Sequence, residues 1–177
     1  MSFKFLPRFS WPLFLLFATL PLPVSAQLTT IMNVVVSPVA TILITTGTTA
    51  LVAASTSAPY TGTTSFTYIV RTSQTTGSGS IQLKITSDFS PSSGPSVASP
   101  PTSGDALTYT CTSSLGTPCS TTQTASTTAN TSVVSFGADT SSSILGSTGS
   151  VSWSLSNDPL YKSGTYTATA TFTISAT

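Results

Sequence analysis

Side chains that commonly do catalytic or metal chemistry are scarce in this chain: two cysteines, four aspartates, no histidine and no glutamate. Without histidine the commonest general base is missing, and with it the Ser-His and Cys-His nucleophile pairs. Without glutamate, two-carboxylate hydrolysis would need two of Asp88, Asp105, Asp139 and Asp158 brought together across the fold. No Gly-x-Ser-x-Gly occurs, and no phosphate-binding glycine loop precedes a helical pattern. The expectation is a non-enzyme that carries no cofactor. A calcium site needs several clustered oxygen ligands. Asp139 with Ser141–Ser143, or Asp158 with Asn157, supplies only part of such a set, so no metal is expected. Cys111 and Cys119 are not spaced as Cys-x-x-Cys, and there is no histidine to complete a zinc site. Between them lie Ser113, Ser114, Gly116 and Pro118, residues that favour a tight reversal. A structural disulfide closing this short loop is the expected use, contributing about 2–3 kcal/mol in the chain-entropy model.

The elements that would position these residues read as strands. Ile81, Leu83 and Ile85 alternate with Gln82, Lys84 and Thr86. Val151, Trp153 and Leu155 alternate with serines, and Tyr166, Ala168, Ala170, Phe172 and Ile174 alternate with threonines. Each pattern has the period of two that sends one set of side chains to a core and the other to water. Phe66, Tyr68 and Val70 form a further apolar face, and shorter runs occur at Met32–Val36, Ile42–Thr45, Leu51–Ala54, Leu107–Cys111 and Val133–Phe136. No stretch sustains an apolar period of 3.6. Gln74–Gly79 reads as a hairpin loop, Ser90–Gly104 as a long surface loop, and Asn157–Pro159 with Ser163-Gly164 as a turn before the last strand. About eight short strands with regular turns predict an all-β, antiparallel sandwich of two sheets, with a closed barrel as the structural rival. Trp153, flanked by Val151 and Leu155, is expected in the core. Tyr60, Tyr109 and Tyr161, at expected strand ends or loops, are the candidates for exposed contacts.

The start of the chain has the order of a secretory signal. Lys4 and Arg8 precede the apolar run Trp11–Leu20. Pro21 and Pro23 break that run, and Val24-Ser25-Ala26 offers small residues for cleavage after Ala26. The division expected is therefore a signal peptide over 1–26, an extended segment over 27–38 and a sandwich domain over 39–177. The protein would be secreted to the extracellular space or cell surface, by way of a periplasm in a Gram-negative cell, with no membrane span left after cleavage. Beyond residue 26 remain Arg71, Lys84 and Lys162 against four aspartates, and serine and threonine fill about two-fifths of the residues. A nucleic-acid surface needs clustered Lys and Arg, which are absent. Low charge also leaves sheet edges weakly protected against pairing with another chain. Asn130-Thr131-Ser132 matches the acceptor sequence for N-glycosylation.

The two ends of the expected mature chain point to that kind of pairing. Leu28–Val36 is apolar and β-branched and is closed off by Ser37-Pro38; the last strand is long, uncharged and free of proline. The closing segment from Gly164 through Tyr166 to Thr177 resembles the Gly-x-Tyr and alternating final strand of bacterial fimbrial subunits and of the spore-coat-protein-U-like pilins. The resemblance implies an immunoglobulin-like sandwich and assembly of a surface fibre by strand donation, with a role in adhesion. It places Met32, Val34 and Val36 as donor side chains and Tyr166, Phe172 and Ile174 in the core beside the terminal strand. It implies self-association or related subunits as partners, together with a periplasmic chaperone. The alternative is a secreted non-catalytic binding module for carbohydrate or a cell-surface ligand, using exposed aromatics such as Tyr60 and Tyr161 at one end of the sandwich.

Overall fold

Alternating apolar residues on neighbouring strands can bury one common face only if two such faces meet, and that is the architecture found. The computed structural model describes residues 31–177; the expected signal peptide and Leu28 lie outside the described residues. The packed unit is Val35–Thr177. Its strands are β1 (Val39–Ile44), β2 (Val52–Ala53), β3 (Tyr60–Arg71), β4 (Gly79–Ser90), β5 (Thr108–Ser113), β6 (Thr117–Pro118), β7 (Gln123–Thr124), β8 (Thr131–Phe136), β9 (Ser147–Leu155) and β10 (Thr167–Ala176). One sheet runs β1-β3-β9-β5-β7, with β2 also on β3. The other runs β10-β4-β8-β6. Every pairing among them is antiparallel. The all-β, two-sheet class expected from the periodicity is therefore the class observed. The two strands beyond the expected eight are the two-residue ladders β6 and β7, too short to show a period. Among the described residues no helix is long and apolar enough to cross a membrane.

The core lies between the sheets. Phe66, Tyr68 and Val70 of β3, with Tyr109 of β5 and Val151, Trp153 and Leu155 of β9, face Ile81, Leu83 and Ile85 of β4 and Val133, Val134 and Phe136 of β8. Successive Val133 and Val134 are both buried because the β4–β8 register shifts between Ile81 and Gln82, and such a bulge sends two consecutive side chains to one face. Trp153 is in the core, as its alternation predicts. Its indole N–H donates to Thr64 Oγ1 at 2.8 Å, which satisfies the one polar group the ring brings inside.

Two expectations require correction. Gln74–Gly79 is not a hairpin loop, because β3 and β4 belong to different sheets and the segment arches from one to the other across the sandwich. Period-two alternation is identical for a hairpin and an arch, so the strands could be read and their pairing could not. Tyr109 is not an exposed contact. It is 1% exposed, sits 5.4 Å from the Trp153 ring, and donates its hydroxyl to the Ser132 carbonyl.

The expected long loop between β4 and β5 is ordered around one carboxylate. Asp88 accepts hydrogen bonds from the amides of Phe89, Val97 and Ala98 and from the Ser96 hydroxyl. Burial pushes the Asp88 pKa up, but these four donors outweigh it and hold the carboxyl below its ordinary value. Cys111 and Cys119 form the expected disulfide, with Cα atoms 5.5 Å apart. Cys111 lies on β5 in one sheet. Cys119 follows β6 in the other and donates its amide to Val133 O. The bridge therefore ties the sheets to each other.

Candidate functional site

Four of the strands that end a sheet are short: β1 has six residues, and β2, β6 and β7 have two each. β10 is the exception. It has ten residues, no charge and no proline, and among the described residues it pairs with β4 alone, on one of its two edges. Its register with β4 is irregular at Thr167–Ala170 and regular from Ala170 to Ala176. The far end is pinned, since Ser73 N donates to Thr177 O at 2.9 Å and Thr177 N to Ser78 O at 2.8 Å. A long, flat, uncharged edge of this kind is what soluble β-proteins usually blunt with lysine, proline or a covering loop. β1, the edge strand of the opposite sheet, runs beside β10 without hydrogen-bonding to it.

The inward side chains of β10 are incompletely covered. Phe172 and Ile174 pack against the core, with the Phe172 ring 5.8 Å from Phe66, yet both remain partly exposed, as do Ala170 and Ala176. Tyr166 differs from the place the alternation assigns it. It precedes β10, turns over Gly94 and donates its hydroxyl to Lys162 O at 2.6 Å. A Cβ at residue 94 would sit 2.3 Å from the Tyr166 ring, so the contact requires glycine there.

The segment assigned as donor is unpaired. Residues 31–36 adopt no strand, and Ile31, Met32, Val34, Val35 and Val36 are exposed at between 62% and 92%. Its root is held: the Arg71 side chain donates from Nε and Nη2 to Ser37 O at 2.8 and 2.6 Å, just before Pro38 and β1. An extended chain would place Met32, Val34 and Val36 on one face and Asn33 and Val35 on the other.

A second cluster was not assembled by the sequence reading. Thr108 of β5 pairs with Ser154 of β9, and this ladder brings the segment before β5 beside the segment after β9. Asp105 is 6% exposed, and its Oδ2 and the Tyr161 hydroxyl oxygen are both buried, within hydrogen-bonding reach of each other. Asp158 stands next to both, accepting from Thr102 Oγ1 at 2.5 Å and from Leu160 N at 2.7 Å. Burial first, and the neighbouring Asp158 carboxylate second, raise the Asp105 pKa above its ordinary value. Asp158 is lowered, first by the Thr102 hydroxyl and then by the Leu160 amide. Burial and the Asp105 charge push the Tyr161 phenol far up. Among the described residues no basic side chain acts on either carboxylate. Of the partial oxygen sets noted in the sequence, Asn157 donates its side-chain amide to Thr56 O, and Asp139 is exposed within the β8–β9 connection. Asp105 and Asp158 are far apart in the chain, and only the β5–β9 register could have joined them.

Two open hollows lie among the described residues; one is lined chiefly by hydroxyl residues of β3, β5 and β9, the other by Val36–Pro38 with Arg71–Gln74, Asp139 and Ser141. Comparison with known proteins finds no matching family model, no similar curated protein and no similar solved structure.

Proposed function

We propose that this chain is an exported, non-catalytic structural subunit, pilin-like in its manner of assembly, which joins copies of itself by β-strand addition into an adhesive surface fibre. The observation that carries the reading is β10, a ten-residue, charge-free edge strand with one side unpaired among the described residues and half-covered apolar side chains. An incoming strand would satisfy its backbone donors and acceptors and cover Phe172 and Ile174. The chain also carries a fitting donor: residues 31–36 are apolar except for Asn33, mostly β-branched, exposed, and in no strand among the described residues. Sequence signs of export at 1–26 and the Cys111–Cys119 bridge agree with assembly in an oxidising compartment. The binding-module alternative gains no such support, because the Tyr161 hydroxyl is buried and Tyr60 is packed against the core.

Size-exclusion chromatography and electron microscopy of the purified protein test the proposal against two variants. One replaces residues 31–36 by Gly and Ser; the other carries Thr171→Lys and Thr173→Lys on exposed positions of β10. The expected result is concentration-dependent fibres for the unmodified protein and monomers with unchanged β-type circular dichroism for both variants. A wild-type protein that stays monomeric at every concentration, or fibres that persist in both variants, would overturn it.

A further inference from the structure

We propose that Asn130 is the acceptor for an N-linked oligosaccharide, added on the export route from a polyprenyl-pyrophosphate sugar donor. The chain has three asparagines, and Asn130-Thr131-Ser132 alone carries, two residues on, the hydroxyl that an Asn-x-Ser/Thr transferase reads. Asn33 is followed by Val34-Val35 and Asn157 by Asp158-Pro159. The fold divides the three residues of the motif by task. Thr131 opens β8, half-buried, and donates its hydroxyl to Leu83 O at 3.1 Å. Ser132 serves the fold through its carbonyl, which accepts from Tyr109 Oη at 2.8 Å, and the residue itself is exposed. Asn130 is also exposed, and its amide donates to Gln82 Oε1 at 3.3 Å across the surface. An exposed hydrogen bond of that length adds little stability. The two side chains a transferase must read are therefore the two that the sandwich does not need. Asn157 differs, since its amide holds Thr56 O at 3.1 Å.

The step is a glycosyl transfer. Asn130 Nδ2 bonds to the anomeric carbon of the sugar as the bond from that carbon to the pyrophosphate oxygen breaks. One amide proton passes to the transferase, and the lipid pyrophosphate leaves. The substituted nitrogen keeps its second proton, so it can still donate to Gln82. The sheet gives the sugar room. In the order β10-β4-β8-β6, Thr173, Gln82 and Ser132 are successive partners across one face, and Thr173 and Ser132 are exposed on it. A glycan at Asn130 rises from this outer face about 10 Å from β10, which is two strand spacings. Strand addition proceeds in the plane of the sheet, so the sugar leaves the β10 edge accessible. The loop that presents Asn130 is itself held, since Ser126 Oγ accepts from the amides of Thr128 and Ala129, both at 3.1 Å, and Ser126 O from Ile85 N at 2.9 Å. On a chain with 5% charged residues, a bulky hydrophilic sugar supplies solvation that charge does not. The site rests on the export expected from residues 1–26 and not on the assembly reading.

Intact-mass spectrometry of the full chain secreted from cultured mammalian cells, before and after peptide N-glycosidase F, provides the test. Wild type should carry the mass of a single N-glycan and lose it to the glycosidase, with Asn130 converted to aspartate. Asn130→Gln and Ser132→Ala should each abolish the addition, and Ser132→Thr should retain it. All three variants should be secreted with unchanged β-type circular dichroism, because neither side chain holds the fold, so a lost glycan cannot be blamed on misfolding. A secreted wild type with Asn130 unmodified, a glycosidase-sensitive glycan that survives Asn130→Gln, or sugar that resists the glycosidase because it is O-linked to serine or threonine while Asn130 stays bare would overturn the proposal.

Discussion

Thr64 shows how much a single hydroxyl does in a chain built from hydroxyls. It is 6% exposed, accepts the Trp153 indole N–H, and shares a 2.7 Å hydrogen bond with Thr49 Oγ1. Thr64→Val preserves the shape but leaves a buried indole N–H unsatisfied, so it should lower unfolding free energy by about 1–3 kcal/mol, measured by urea denaturation with Trp fluorescence. Thr64→Ser, which keeps the oxygen, should recover most of that loss. The inward direction of Trp153 could be read from Val151 and Leu155. Its partner could not, because Gly62 lies opposite Trp153 in the register and Thr64 opposite Val151. The same limit hid the approach of Asp105 to Asp158. Alternation fixes which way a side chain points along its own strand, and says nothing of which strand lies alongside.

At the scale of elements, strand existence was legible and sheet membership was not. β3, β4, β8, β9 and β10 all carry their inward residues at the positions that alternation gives, with the bulge in β8 as the local exception. The arch over Gln74–Gly79 and the split edge formed by β1 and β2 on β3 depend on contacts distant in sequence. Met32, Val34 and Val36, the side chains the resemblance assigns as donors, are exposed. The disulfide is the element-scale staple. It closes a loop with a sequence separation of 8 and holds β5 near the β6–β8 ladder. Replacing both cysteines by alanine should reduce stability by about 2–3 kcal/mol, seen as a lower denaturation midpoint with an unchanged far-ultraviolet spectrum. A larger loss accompanied by a changed m-value would mean that β6 and its connection had come away from the sandwich.

Across the whole molecule, wetting is done by neutral hydroxyls. On the outer face of the first sheet Thr63 lies against Ser152 and Thr112 against Ser150, with side-chain oxygens 3.5 and 2.8 Å apart. With charged residues at 5% of the chain and no histidine, nothing ordinary titrates near neutrality. Stability of the monomer should therefore vary little around neutral pH and be nearly independent of salt, since there is little for ions to screen. Acid is where the three shifted aspartates separate. Asp88 and Asp158 are depressed, so the stability they give is complete above the unfolded value of 3.8 and is lost as pH falls through their folded values. Asp105 is raised, so the folded state holds its proton longer than the unfolded chain. Acidification from above its folded pKa toward 3.8 therefore adds stability. The two effects should produce a shallow maximum in Tm above pH 3.8, followed by a fall. Asp105→Asn should erase the rise and leave the fall. Differential scanning calorimetry across the acid range reads both. An Asp105→Asn curve identical to wild type would show that this carboxyl titrates as if exposed to water.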